Sequence, residues 1–222
     1  MSGLKTVGPT MRLDFERVSP DLVAAAAKFG TATLHEAAGK IGALPSALKP
    51  VAPSFRICGP AYTVHGPAID NLWLHRAIAT AQPGDVLVAY VNGVYEAGYW
   101  GEIMSTGAKA RGLGGLVIDG CVRDGDLLEG IGFPIFARGL CMGGTGKDFG
   151  ARGWLNAPIM IGDVTVQPGD LVAGDTEGVV VVPRAVVADT VEASASREAM
   201  EAKIMDQLRE GASTLDLYGW NK

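Results

Sequence analysis

A chain of 222 residues is long enough to bury a full hydrophobic core. With 48% apolar and 19% charged residues it is no disordered segment, and a net charge of -5 excludes the basic footprint of a nucleic-acid binder. No apolar run approaches the ~20 residues that cross a bilayer, and the opening "MSGLKTVGPT" lacks a signal-peptide core. A cytoplasmic protein with neither nucleic acid nor membrane as partner is expected.

In chain order, "PDLVAAAAKF" (20–29) predicts a helix with Pro in its first turn and Gly30 as its stop. A second helix is expected from Thr31 through His35 and Glu36 to Gly39. "RICGPAYTV" reads as a strand, and 72–81 as the next helix. "QPGDVLVAYV" (82–91) is a turn followed by a buried strand, and its turn recurs as "QPGDLVAGD" at 167–175. The two copies are read as one local geometry used twice. Helix is expected over 96–111, with Trp100, Ile103, Met104 and Ala108 near one face. Strand "GLVID" follows, then "GCVRDGD", a short helix over 124–129 and strand "PIFA".

The stretch "RGLCMGGTGKDFGARGW" is polar, Gly-rich and without period, so it is read as a loop of functional kind. Next, "PIMIGDVTV" predicts a hairpin turning at Gly162-Asp163, and "DLVAGDTEGVVVVP" another strand–turn–strand. A helix over about 185–210 closes the chain, before the tail "STLDLYGWN", and is expected to contact a neighbouring subunit. No linker or composition shift divides the sequence. Residues 1–222 are therefore expected to form one α/β domain, a layered sandwich with mixed sheets.

Several tempting motifs fail. "GGTGKD" has Cys141 and Asp148 where a phosphate loop needs Gly and Ser or Thr. "GLGGLV" precedes a strand rather than following one, so it is no dinucleotide fingerprint. "HEAAG" lacks the second His of a zinc-protease helix, and no GxSxG is present. His35, His65 and His75 are each read as structural or surface residues. Three separated cysteines, Cys58, Cys121 and Cys141, with no CxxC pair, offer neither a zinc knuckle nor a disulfide framework.

One constellation survives. Arg123 and Asp124 follow an apolar strand, where ligands of α/β sheets bind. Arg123 offers a permanently charged fork for a carboxylate. Asp124 is a hard oxygen ligand suited to Mg²⁺ or Mn²⁺. Such ions commonly take a second acid, for which Glu102 is the first choice, with Asp119, Asp126 and Glu129 as alternatives. A plain turn with a local Arg123–Asp124 salt bridge is the competing reading. Asp119 and Asp126 are expected to be structural.

The run "GYWGEIMSTGAKARGLGGLVIDGCVRDGD" resembles the RraA-like family. The likeness is in particular to its class II pyruvate aldolase branch, the 4-hydroxy-4-methyl-2-oxoglutarate / 4-carboxy-4-hydroxy-2-oxoadipate aldolases of aromatic compound degradation. That branch carries an acid, twenty residues, then Arg-Asp; here these are Glu102, twenty residues, and Arg123-Asp124. "FGTATLHEAAGKIGAL", "DNLWLHRAI", "FPIFARG" and "LDLYG" are similar to further family blocks. The resemblance implies a homotrimer or homohexamer with sites between subunits. It implies Asp124 as ligand of Mg²⁺ or Mn²⁺, and Arg123 with the backbone of Gly101, Glu102, Ile103 and Met104 on the pyruvyl carboxylate. Glu102 would orient metal-bound water, and a neighbour's glutamate, placed at Glu201 with Glu198 as rival, would complete the site. The implied substrate is a small 2-keto dicarboxylate or tricarboxylate, with oxaloacetate decarboxylation as side activity. The branch has Asp where this chain has Glu102, one methylene longer. The family also contains protein-binding regulators of ribonuclease E, the alternative reading, and siblings acting on other 2-keto acids.

Overall fold

Strands buried on both faces need helices to cover them, and this chain supplies both by alternation. The computed structural model describes residues 10–221, so the opening stretch read above for a signal peptide lies outside the described residues, apart from Thr10. The chain begins with α1 (Pro20–Ala26), α2 (Thr31–Ala37), β1 (Lys49–Pro50), β2 (Ile57–His65), α3 (Leu72–Thr80) and β3 (Val86–Tyr90). It continues with α4 (Glu102–Ala110), β4 (Gly115–Ile118), β5 (Cys121–Val122), α5 (Gly125–Ile131), β6 (Ile135–Ala137) and β7 (Gly139–Leu140). Then come β8 (Trp154–Leu155), β9 (Ile159–Ile161), β10 (Val164–Val166), β11 (Leu171–Asp175) and β12 (Gly178–Val182). The long α6 (Val187–Arg209) and the short α7 (Thr214–Leu217) end it.

The main sheet runs β1-β6-β4-β3-β2-β11-β12, with β8 also on β2. Neighbours β2–β3, β3–β4 and β4–β6 are parallel, each joined through α3, α4 or α5. The β2–β11 and β11–β12 pairs are antiparallel, so the sheet is mixed as expected. Alternation along the antiparallel strands separates two cores. Val172, Val179 and Val181 join the larger core, with Trp73, Met104 and Leu128 from α3, α4 and α5. Leu171, Ala173, Val180 and Val182 face the other way, against Ala26, Leu34 and Val187 of α1, α2 and α6.

Both expected hairpins form: Ile161 pairs with Val164 across Gly162-Asp163, and Asp175 with Gly178. The repeated Pro-Gly-Asp turns are physically alike. In each, the Asp side chain accepts from the Gln backbone three residues earlier, Asp85 from Gln82 at 2.8 Å and Asp170 from Gln167 at 2.9 Å.

Two helix readings need correction. The helix expected over 96–111 begins only at Glu102. Residues 98–100 are extended beside β5, with Tyr99 N–H donating to Cys121 O at 3.1 Å and Arg123 N–H to Trp100 O at 2.8 Å. Gly98 and Gly101 weaken helix there, and the ladder to β5 wins. Trp100 is buried ahead of the helix, and Ile103 is 80% exposed rather than on the face shared by Met104 and Ala108. The helix expected over 124–129 spans Gly125–Ile131, and Asp124 precedes it in a left-handed conformation. The polar loop at 138–154 is largely irregular, interrupted by β7 and β8.

Candidate active site

The ladder between 98–100 and β5 is what assembles the site. It carries the start of α4 to the turn before α5, so Gly101 and Glu102 meet Arg123 and Asp124. Glu102 N–H donates to Asp124 Oδ2 at 2.9 Å. Gly101 is required at this approach, because a Cβ there would overlap that same carboxylate oxygen. With no side chain, Gly101 also makes no cap hydrogen bond to α4. The N–H groups of Ile103 and Met104, in the first turn, have no intrahelical acceptor and are open to a ligand.

Arg123 Nε stands 3.8 Å from Asp124 Oδ2, and the two side chains are 47% and 35% exposed. That is no hydrogen bond. The local salt bridge weighed above is loose, and it leaves the guanidinium fork available. Asp124 Oδ1 has no partner among the described residues.

A cavity of about 200 Å³ lies here, lined by Gly101, Ile103, Met104, Arg123 and Asp124. Its remaining wall was not legible in the sequence. Asn71 and His75 come from the start of α3, and Lys147 from the Gly-rich loop. Asp70 brings them together: its Oδ1 accepts from Leu72 N–H at 2.8 Å, capping α3, and its Oδ2 accepts from Asp148 N–H. Gly146 N–H donates to Ile69 O at 2.8 Å. "GGTGKD" is thus no phosphate loop, yet it delivers a lysine to the site. His75, read above as a structural or surface residue, belongs to the lining. Burial lowers its pKa first and Lys147 lowers it further, while Asp70 opposes them. The signals that could have found this wall were "DN" ahead of a helix and a lone lysine in a glycine-rich loop.

The other candidates separate cleanly. Asp119 is 2% exposed and accepts from Arg138 Nε at 2.7 Å, a structural pair as expected. Glu129 accepts from Ser54 Oγ at 2.7 Å, away from the cavity. Asp126 is exposed in the first turn of α5, where an acid suits the helix dipole. The Glu102 side chain is exposed and outside the cavity lining. Glu201 pairs with Arg197 at 2.8 Å on α6, and α6 packs on α1 and α2. Neither Glu201 nor the exposed Glu198 lines the cavity of its own chain.

Size alone does not pick the site. Hollows of about 400 Å³ beside His35 and Lys40, and about 450 Å³ beside Arg56 and Cys58, are larger. Burial pushes the Cys58 thiol up to about 11, so it is no nucleophile at neutral pH. Among the described residues no three His, Cys, Asp or Glu side chains cluster as metal ligands. Asp124 fits a hard divalent ion nonetheless, because Mg²⁺ is usually held by one or two carboxylates plus waters and substrate oxygens. A site with many nitrogen or sulfur donors does not fit these residues.

The family model described as RraA-like, Aldolase/RraA, matches residues 31–181. A protein of Halalkalibacterium halodurans, provisionally named 4-hydroxy-4-methyl-2-oxoglutarate aldolase, is 34% identical over 182 residues, covering 80% of this chain and 86% of that one. The crystal structure of an uncharacterized protein from Pseudomonas syringae pv. tomato superposes with a TM-score of 0.78 at 30% identity, covering 90% and 93% of the two chains. The RNA-processing inhibitor RraA from Thermus thermophilus shares the fold at a TM-score of 0.64 and 23% identity, covering 70% and 93%.

Proposed function

The chain belongs to the RraA-like family, and from that premise we propose that it is a divalent-metal-dependent, class II pyruvate aldolase. It cleaves 4-hydroxy-4-methyl-2-oxoglutarate or 4-carboxy-4-hydroxy-2-oxoadipate to release pyruvate, and it decarboxylates oxaloacetate as a side activity. One observation carries the reading. The loosely paired Arg123 fork, an open oxygen of Asp124 and the uncapped start of α4 converge on one small cavity. The aldolase name of the Halalkalibacterium relative supports it.

The chemistry follows from the residues. Arg123 holds the pyruvyl carboxylate by a charge-assisted pair, and the N–H groups of Ile103 and Met104 add donors. Mg²⁺ or Mn²⁺ on Asp124 would supply Lewis-acid stabilisation of the charge that develops on the keto oxygen. Glu102 orients the water that takes the proton from the substrate's C4 hydroxyl. The O–H electrons then form the new carbonyl, the C3–C4 bond breaks toward the keto group, and protonation at C3 gives pyruvate. Glu201, or Glu198 one turn earlier, enters from a neighbouring copy in a homotrimer or homohexamer. Being a methylene longer than Asp, Glu102 shifts this water, which bears on rate and substrate choice.

The test is pyruvate release from oxaloacetate and from 4-hydroxy-4-methyl-2-oxoglutarate with Mg²⁺ or Mn²⁺, with EDTA, and in Asp124→Ala. Metal-dependent release that the substitution removes is expected. Full activity in EDTA would sink the mechanism, and no turnover together with tight binding to a ribonuclease would favour a regulator.

A further inference from the structure

The wall of the cavity opposite in sequence to Arg123 and Asp124 is built with care for a surface loop. Lys147 has no ion pair among the described residues, yet both of its neighbours are tied down. Gly146 N–H donates to Ile69 O, Asn71 N–H donates to Gly146 O at 3.3 Å, and Asp148 N–H donates to the buried Asp70 carboxylate. Ile69 itself sits at φ 54. That is a conformation a β-branched residue adopts only under constraint. Tyr99 Oη holds it by accepting from Ile69 N–H at 2.9 Å.

Asn71 ties the same wall to the strand-like stretch before α4. It is 7% exposed, and its Nδ2 donates to Tyr99 O at 3.0 Å. On the same wall, burial and then Lys147 push the His75 imidazole below its ordinary value, which disfavours a second cation there. Lys147 is therefore the cation of this wall, as Arg123 is of the other.

We propose that Lys147 is a specificity-determining residue that holds the second carboxylate of a 2-keto dicarboxylate. The assignment deepens the aldolase reading and rests on it. It makes the cavity a two-ended site. Arg123 and the start of α4 take the pyruvyl end, and the loop-borne lysine takes the far end. A 2-keto acid lacking the far carboxylate leaves Lys147 unpaired and is disfavoured.

Two measurements with Mg²⁺ present test this. The first is the ratio of kcat/KM for 4-hydroxy-4-methyl-2-oxoglutarate over 4-hydroxy-2-oxopentanoate, which lacks the second carboxylate. In Lys147→Met this ratio falls by on the order of 10²-fold, as loss of a hydrogen bond to a charged group implies, and Lys147→Arg retains most of it. The second is binding by calorimetry: 2-oxoglutarate binds more tightly than 2-oxobutyrate, and Lys147→Met removes the difference. An unchanged ratio and unchanged binding preference in a folded Lys147→Met overturn the proposal while leaving the aldolase reading intact. A wild-type protein that turns over neither acid but shows the Lys147-dependent binding preference keeps the subsite and sinks the aldolase. Neither turnover nor binding preference in the wild type overturns both.

Discussion

Asp119 and Asp124 close the same short run of sequence but lie in two regions with opposite character. At the end of β4, Asp119 is buried and its Arg138 partner lies at 2.7 Å, itself stacked over Tyr95 at 3.9 Å. At the start of α5, Asp124 has one oxygen on Glu102 N–H and an arginine no nearer than 3.8 Å. The first region satisfies its charges from within the fold. The second leaves an oxygen, a guanidinium and two helix N–H groups open on the same cavity. Charge at the end of a strand is therefore ambiguous, and completeness of pairing tells a structural carboxylate from one available to a ligand.

The sharpest way to break this contrast is to remove charge without removing shape. Asp124→Asn keeps an acceptor for Glu102 N–H. It is expected to lower metal-dependent pyruvate release by on the order of 10³-fold with a nearly unchanged melting temperature; unfolding of the variant would place Asp124 with Asp119. The converse change is Asp85→Ala, in the satisfied class. Asp85 is fully buried and takes two hydrogen bonds from Arg17, at 2.7 and 2.9 Å. Stranding that arginine costs about 3 kcal/mol, read from urea denaturation, and a loss below about 1 kcal/mol would show that the pair is dispensable.

Gly101→Ala tests the approach itself. The added methyl displaces the Asp124 carboxylate, and activity should fall by about 10²-fold with a smaller effect on stability. Arg197→Ala probes the α2–α6 face, where Arg197 meets Glu201 at 2.8 Å and Glu36 at 3.7 Å on a partly exposed surface. Its stability cost should stay under about 1 kcal/mol. A tenfold activity loss at constant melting temperature would mean that Glu201 serves a neighbouring site.

The smallest expected effect is with pH. Burial is the leading cause that holds His65 and His75 below the ordinary imidazole value of 6.5. The folded chain then binds fewer protons than the unfolded one, so this stability is fully present above about pH 6.5 and is lost as pH falls toward the folded values. Urea midpoints across that range should drop on acidification, and less so in a His65→Gln, His75→Gln double variant.

Much of the architecture was legible because it is local. Alternating apolar strands and helices, Pro-Gly-Asp turns and a Gly-Asp hairpin state their geometry within ten residues or so. The spacing of Glu102 to Arg123-Asp124 was legible too, since a helix followed by a strand returns the chain to the same edge. The failures came where a distant partner overruled local preference. Residues 98–100 carried a helical pattern but found β5 as a ladder partner, and Ile103 turned outward with them.

The sequence by itself determined the fold class and the family blocks, and it pointed to one half of the candidate site, where a single helix–strand return brings Glu102 back to Arg123 and Asp124. Only the tertiary structure decided the other half. Asn71, His75 and Lys147 belong to segments far apart in sequence. Nothing in their local patterns marks them as a set, because it is the Asp70 carboxylate, bonding both the start of α3 and the glycine-rich loop, that draws them to one wall.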